Sequence, residues 1–293
     1  MTMRFEIDYT SEFKYPESVW ESQNLLRACP LTDAHQTLLH YELKTVPAAR
    51  VHSYVDYWGT RVDAFGARAP HDRLSIHARS AVETRPNGPM AAAPAWKRLS
   101  DPAFVEAHLE FLAASRHTVW NEALRAEAER RAAPAGADIV GAVLSLHRMV
   151  GSSLAYVPGS TSVGVDVNDV LRGRKGVCQD FAHLLIAMCR SLSVPARYVS
   201  GYLFSENSDS EREPEAESVR VKTHAWVEVA IPGAGWWGLD PTNRQEVGPR
   251  HIKIGHGRDY DDVQPLRGVY LGAGDHKLDV CVSIRRGAAA SQQ

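Results

Sequence analysis

Cysteine is scarce in this chain, with four residues in 293, and no two of them form a CxxC pair. Cys29, Cys178, Cys189 and Cys281 are too scattered for a compact zinc site or a disulfide framework. Cys178 and Cys189 fall eleven positions apart within one predicted helix, about 16 Å at a rise of 1.5 Å per residue, and cannot bond to each other. Reduced thiols are therefore expected. No apolar run approaches the roughly 18 residues that span a bilayer, and the opening MTMRFEIDYT has no apolar h-region. Strong charge of either sign is missing too: a formal net charge of −2 gives neither nucleic acid nor an anionic membrane an electrostatic reason to be the partner. The glycine spacings carry no Walker or dinucleotide fingerprint. The 13 histidines include no HExxH or similar metal pattern, the closest pairs being His35 with His40, His71 with His77 and His251 with His256. The expectation is a cytoplasmic protein without metal or cofactor, and nothing in the sequence fixes its oligomeric state.

What is present is a globular composition, 44% hydrophobic and 23% charged, sufficient for one large or two modest domains. Residues 4 to about 85 carry short β-leaning runs such as RFEIDYTSEFKY and VHSYVDYWGTRVDAF, punctuated by Pro, Asp and Gly, which predict an antiparallel sandwich or sheet. ETRPNGPMAAAPAW marks a linker near 84 to 95. Beyond it, SDPAFVEAHLEFLA offers Ser100 as a helix cap with Pro102 in the first turn, NEALRAEAERRA reads as a helix, and Asp138 can cap a third carrying Ile139, Val143, Leu146 and Val150 at helical spacing. A further helix starts close to Cys178, with Phe181, Leu185, Met188 and Leu192 as its apolar stripe and Ser-Val-Pro ending it. ARYVSGYLF, VKTHAWVEVAI and GWWGLD then read as successive strands, the last two joined by the turn PGAG, and KLDVCVSIR as a final strand. The predicted layout is α+β: an N-terminal β-rich domain over 1–88, a helical connection over 89–137, a core over 138–287 and a polar tail at 288–293.

A cysteine at a helix entrance is chemically loaded. The positive end of the helix dipole lowers a thiol's pKa, and the free N–H groups there can hold a developing oxyanion. A thiol nucleophile also needs a histidine in reach and a third group to fix that histidine's tautomer. His224 lies 46 residues on; strand alternation puts it on one face with Trp226 and Glu228, looking across at the helix, with Ala225, Val227 and Val229 on the other. A hairpin turning at PGAG brings His224 opposite the stretch Asp240 to Asn243, where either residue can serve as the orienter. Cys189, Cys29 and Cys281 fit the plainer role of small buried hydrophobes.

GVCQDFAHLLIAMCRSLSVPARYVSGYL, HAWVEV, GWWGLDPTN and GRDYDDVQPLRGVYLGAG together resemble the bacterial branch of the transglutaminase-like superfamily, whose core is related to papain-like cysteine enzymes. RACPLTDAHQTLLHYEL and VDYWGTRVDAF look like the β-rich domain that precedes the core in that branch. The resemblance covers 4–85 and about 140–286. It implies Cys178 as nucleophile, His224 as base and Asp240 as orienting carboxylate. One departure is Thr60, where the family usually has Asn after Trp-Gly. Papain-like enzymes also commonly carry a glutamine shortly before the cysteine, where this chain has Arg172, Arg174 and Lys175, so the backbone N–H of Cys178 is the one oxyanion donor named.

Around these residues, Asp180 suits a structural role in the first helical turn, because a carboxylate pointing at the thiol would oppose thiolate formation. Gln179, Trp226, Trp237 and Asn243 are candidate substrate-binding residues, and Trp226, Trp236 and Trp237 are equally candidates for the core. The acidic stretch ENSDSEREPEAE, 206–217, reads as a solvated hairpin loop or as a lid that prefers basic substrates. The functional expectation is a thiol-dependent acyl-transfer enzyme acting on a peptide or amide substrate through a thioester, hydrolytic rather than cross-linking. The alternatives are a transglutaminase that transfers an amine to a glutamine carboxamide, and a non-catalytic peptide-binding scaffold.

Overall fold

The structure, a computed structural model, describes residues 2–88, 90, 96–161, 164–204, 218–221, 223–272 and 274–287. Its N-terminal part is built from Met3–Val19 (β1), Glu21–Leu26 (β2), Gln36–Val46 (β3), Val51–Val55 (β4), Arg61–Ala67 (β5) and His71–Thr84 (β6). Along β1, Phe5, Ile7, Tyr9, Ser11, Phe13 and Tyr15 are buried while the residues between them are not, the period-two signature of a strand with one face on a core. Leu74, Ile76, Ala78 and Val82 of β6 repeat the pattern opposite. Three helices follow, Pro102–Ala107 (α1), Glu122–Ala132 (α2) and Ile139–Ser153 (α3). The cap of α1 is Asp101, whose carboxylate accepts from the Ala103 N–H, and not Ser100 as the sequence suggested. With Pro102 in the first helical position, the residue before it becomes the cap.

The rest of the chain runs Ala155–Tyr156 (β7), Val167–Gly173 (α4), Lys175–Gly176 (β8), Cys178–Ser191 (α5), Ala196–Leu203 (β9), Ser218–Val221 (β10), Thr223–Ile231 (β11), Gly235–Asp240 (β12), Gln245–Glu246 (β13), His251–Gly257 (β14), Leu266–Leu271 (β15) and Lys277–Arg286 (β16). The core sheet has the order β13-β12-β11-β9-β14, and α5 packs on it through β11 and β9. On its other sides α5 meets α2, α3 and α4, so burial runs right round it from Asp180 to Ser191, beyond the single stripe read from the sequence. The acidic segment 206–217 lies outside the described residues, as do 89, 91–95 and the tail 288–293.

Two late strands do not stay with the core. β16 pairs antiparallel with β1, in a sheet ordered β10-β16-β1-β6-β3, and β15 pairs with β2 in a sheet ordered β15-β2-β5-β4. The sequence reading carries the core to 287, whereas β15 and β16 hydrogen-bond to strands of the N-terminal sheets. With β6 on one side of β1, the other edge would present unpaired backbone groups, and β16 closes it. The two halves meet through β14, with Ile252 and Ile254 in the N-terminal apolar cluster alongside Tyr202 and Phe204. Gln36 clasps the same strand, donating to the Lys253 carbonyl (2.7 Å) and accepting from its N–H (2.8 Å). The unusual Thr60 is fully buried, and its hydroxyl would lie 2.3 Å from a Cβ at Gly255, so its contact requires glycine in β14.

Between the halves, Glu228 of β11 holds Lys253 (2.7 Å) and Arg197 (2.6 Å). Burial raises the Glu228 carboxyl, but two cations sharing it reverse the effect and bring it down to about 2. Lys253 is lowered instead, by burial and by the neighbouring Arg197, against the pull of Glu228. Replacing Glu228 by Gln leaves both cations buried without a counter-charge and is expected to cost about 3–5 kcal/mol in urea unfolding. The lowered folded pKa means that Glu228 stabilises fully above its unfolded value of 4.5 and loses that contribution as pH falls toward about 2. The gap between wild type and E228Q should close over that window, and a constant gap would refute the assignment.

Candidate active site

The entrance of α5 is set by backbone accounting. Its first N–H groups have no partner within the helix, and Asp180, three residues in, reaches back so that its Oδ2 accepts from the Val177 N–H at 2.7 Å. Thr161 Oγ1 donates to the same oxygen at 2.6 Å, tying the loop after β7 to the helix start. Gly176 makes this possible, since a Cβ there would lie 2.8 Å from both Cβ and Oδ2 of Asp180. Cys178 thus begins a helix whose entrance is fixed on two sides, and its thiol is half-buried.

His224 is near the start of β11. The apolar face of that strand, Ala225, Val227, Val229 and Ile231, is the one that packs on α5, which corrects the expectation that the face of His224 looks onto the helix. With the apolar face of the strand against α5, alternation puts the imidazole on the opposite face. It nonetheless comes within range of the Cys178 thiol, which helps to raise its pKa. Its Nε2 is 2.8 Å from Asp240 Oδ2, which leaves Nδ1 for the sulfur. The β11–β12 register pairs Val227 with Leu239 and delivers Asp240 to the end of the hairpin, as the turn position predicted. Burial pushes the His224 imidazolium down, but the hydrogen bond with Asp240, the Cys178 thiol and the charges of both outweigh it and raise the group to about 10.

Asp240 is fully buried. Burial raises its carboxyl, and the hydrogen bonds from His224 and His251 more than reverse this, holding it far below the ordinary carboxylate range. Asn243 contributes as well: its backbone N–H donates to Oδ1 (3.1 Å) and its Nδ2 to Oδ2 (2.8 Å). Asn243 therefore touches the orienting carboxylate. His147 of α3 has Nε2 3.0 Å from the Asp240 main-chain oxygen. The sequence reading gives His147 and His251 no place at Asp240, His251 appearing there only as half of a histidine pair. For His147 a signal exists, a polar residue set among Val143, Leu146 and Val150 on a buried helix face; for His251 none does, because its contact depends on the β14–β9 pairing.

The other candidates spread out. Trp226 is buried with its ring edge-on to His251 (5.3 Å) and 6.1 Å from His224, backing the histidines rather than opening a groove. Trp237 is in the helix-side core and donates its indole N–H to Glu246. Trp236 stacks under the Arg197 guanidinium at 3.8 Å. Gln179 is half-buried, and its side chain has no hydrogen bond among the described residues. A cavity of about 270 Å³ on the far side of the core sheet contains Trp226 and His251 but neither Cys178 nor His224, so it is not where a thiol would meet substrate. Cys29 and Cys189 are buried thiols pushed up to about 12 by burial, chemically quiet at neutral pH. Among the described residues two groups have the donor atoms to ligate a metal: His224, Asp240 and His251, and His117, Asp259 and Asp261. In the first, an ion would have to displace both imidazole hydrogen bonds to Asp240.

Comparison with known proteins agrees with this architecture. A family model described as the transglutaminase-like superfamily matches residues 126–241, and one described as the bacterial transglutaminase-like N-terminal region matches 5–83. An uncharacterized protein of Mycobacterium leprae is 37% identical over 97% of this chain and 99% of its own length. A solved structure from Cytophaga hutchinsonii, provisionally described as a cysteine protease, superimposes with a TM-score of 0.75 over 100% of this chain and 93% of that one, at 22% identity. A protein-glutamine gamma-glutamyltransferase of Pseudomonas aeruginosa is 34% identical over 38% of this chain and 16% of its own length. The chain belongs to the transglutaminase-like superfamily, with the bacterial transglutaminase-like N-terminal region ahead of a transglutaminase-like core.

The Asp180 contacts yield a test. Asp180→Ala removes two hydrogen bonds to a charged acceptor and should lower stability by about 2–4 kcal/mol, while also slowing iodoacetamide labelling of Cys178. Faster labelling in D180A would show instead that the carboxylate opposes the thiolate.

Proposed function

We propose that this protein is a thiol-dependent acyl-transfer enzyme that hydrolyses a peptide or amide bond through Cys178, His224 and Asp240. The observation that carries the reading is the 2.8 Å contact of the His224 imidazole with a buried carboxylate, in a histidine whose pKa is also raised by a thiol at the start of a buried helix. In this mechanism the Cys178 thiol gives its proton to His224 Nδ1 and the thiolate attacks the substrate carbonyl carbon. The carbonyl oxygen becomes an oxyanion facing the Cys178 backbone N–H. Collapse of the tetrahedral species breaks the C–N bond, His224 passes its proton to the leaving amine, and an acyl thioester remains. Water then attacks the thioester, His224 takes its proton and returns it to sulfur, and the acid leaves. Asp240 holds the ring throughout and stabilises its cationic form.

Hydrolysis is preferred because the thiol is half-buried rather than sealed, and bulk water outnumbers any amine at the thioester. The second reading, transfer to an amine, is supported by the Pseudomonas aeruginosa relative, a protein-glutamine gamma-glutamyltransferase. A glutamine-containing peptide offered with and without a labelled primary amine separates the two. Ammonia release without incorporation is expected, and incorporation that outruns hydrolysis would reverse the assignment. Activity unchanged in Cys178→Ala would favour the scaffold reading over both. We further propose the cytoplasm as its compartment: Cys29, Cys178, Cys189 and Cys281 all stand unpaired, as a reducing environment requires. Among the described residues no helix is long and apolar enough to cross a membrane.

The raised imidazole sets a pH expectation. A cationic His224 supplies the proton for the leaving amine until it deprotonates, so the alkaline limb of kcat/KM should fall near pH 10. In Asp240→Asn the limb should move down toward the unperturbed 6.5, with a rate loss of about 10²–10⁴-fold. A limb that does not move in D240N would exclude Asp240 as the partner of His224.

A further inference from the structure

His251 is a buried imidazole on Asp240 to which the mechanism above gives no part. It begins β14, on the side of the core sheet that faces the N-terminal domain, and its side chain is only 2% exposed. Its Nε2 lies 3.1 Å from Asp240 Oδ2, the same oxygen that meets His224 at 2.8 Å. Its Nδ1 accepts the Gly248 N–H at 3.2 Å. A nitrogen that accepts from a backbone amide carries no proton, so the ring's N–H is at Nε2 and donates to Asp240. The ring is held edge-on by Trp226, 5.3 Å away, with His224 at 6.3 Å beyond.

We propose that His251 is a positioning residue for the reaction: a neutral imidazole, locked as its Nε2–H tautomer by Gly248, that fixes the rotation of the Asp240 carboxylate so that Oδ2 stays in line with His224. This rests on the reading of Cys178, His224 and Asp240 as the catalytic chain. The carboxylate can turn about its Cβ–Cγ bond. Asn243 restrains it from the same loop, through its own backbone and side chain. His251 restrains it from a separate strand, so the restraint holds even where the 240–243 turn flexes. The link also runs outward, because β14 is the strand that Gln36 and Thr60 of the N-terminal half clasp.

The test uses His251→Gln, whose amide N–H can occupy the place of Nε2–H, and His251→Phe, which keeps a ring against Trp226 but donates nothing. Labelling of Cys178 by iodoacetamide at about pH 6, well below the unperturbed thiol range, is followed by peptide mass spectrometry in both variants, wild type and His224→Ala. H251F should label about tenfold more slowly than wild type, as expected for loss of one hydrogen bond to a charged group. H251Q should recover most of that rate, and on any substrate found the H251F loss should fall on kcat with KM little changed. Labelling of H251F at the wild-type rate, or H251Q no better than H251F, overturns the role of His251 and leaves the catalytic chain standing. Wild type that labels no faster than H224A overturns the catalytic chain and His251 with it. Should H251F fail to fold, long-range ¹⁵N–¹H spectra of the wild-type imidazoles decide. A protonated Nε2 and bare Nδ1 on His251 are expected at neutral pH, and a proton on Nδ1 refutes the proposal.

Discussion

A single buried carboxylate organises this half of the molecule. Asp240 has no exposed surface, and a bare charge in that position would be prohibitively costly. Its carboxylate is met from three directions, by His224 on β11, His251 on β14 and Asn243 on the following turn, and its main-chain oxygen by His147 of α3. Each contact ties a separate element to the end of β12. The hairpin, the sheet's other edge and the helical layer are thereby held in register around one atom group, because any of them moving away would strand a buried charge or a buried imidazole.

The thiol is fixed by different means. α5 is surrounded on every side, and its far end carries Arg190, a buried cation whose donors go to the carbonyls of Ala113, Ala196 and Arg258 and to Thr118. Burial lowers the Arg190 guanidinium to about 10, still charged at neutral pH. It pins two loops and the start of β9 to one helix end, while Asp180 and Thr161 fix the other. A helix so anchored cannot slide along the sheet. A nucleophile and its base on different elements require this rigidity, since small displacements at a reacting centre are costly.

How much of this is legible in the sequence depends on range. The start of α5 can be read because its signals are local: a Gly-Val pair, a cysteine and an acid two residues on. The approach of Asp240 to His224 can be read because a hairpin is a two-strand problem solved by the turn at PGAG. The face of His224 was misread, because alternation separates two faces without saying which of them the helix covers. His251 was missed because β14 joins the sheet beside β9, not beside the hairpin that carries the other histidine. β15 and β16 were assigned to the core for the same reason. Their sequences are good strands, but which edge a strand pairs with is decided by the edges left open elsewhere, here those of β1 and β2.

The return of the C-terminal strands changes how the N-terminal domain should be understood. It closes over the far side of the core sheet, buries Glu228 with its two cations, and clasps β14 through Gln36, Thr60 and Thr84, whose hydroxyl donates to the Pro249 carbonyl just before that strand. β16 then ties the end of the chain into the sheet of β1, so the core is enclosed by chain both before and after it. Removing the N-terminal strands would expose Ile252, Ile254 and Tyr202 and leave β16 without its partner. It would also free the strand that supplies one of the imidazoles on Asp240. The N-terminal sheets are therefore linked through β14 to the Asp240 carboxylate and the imidazoles around it.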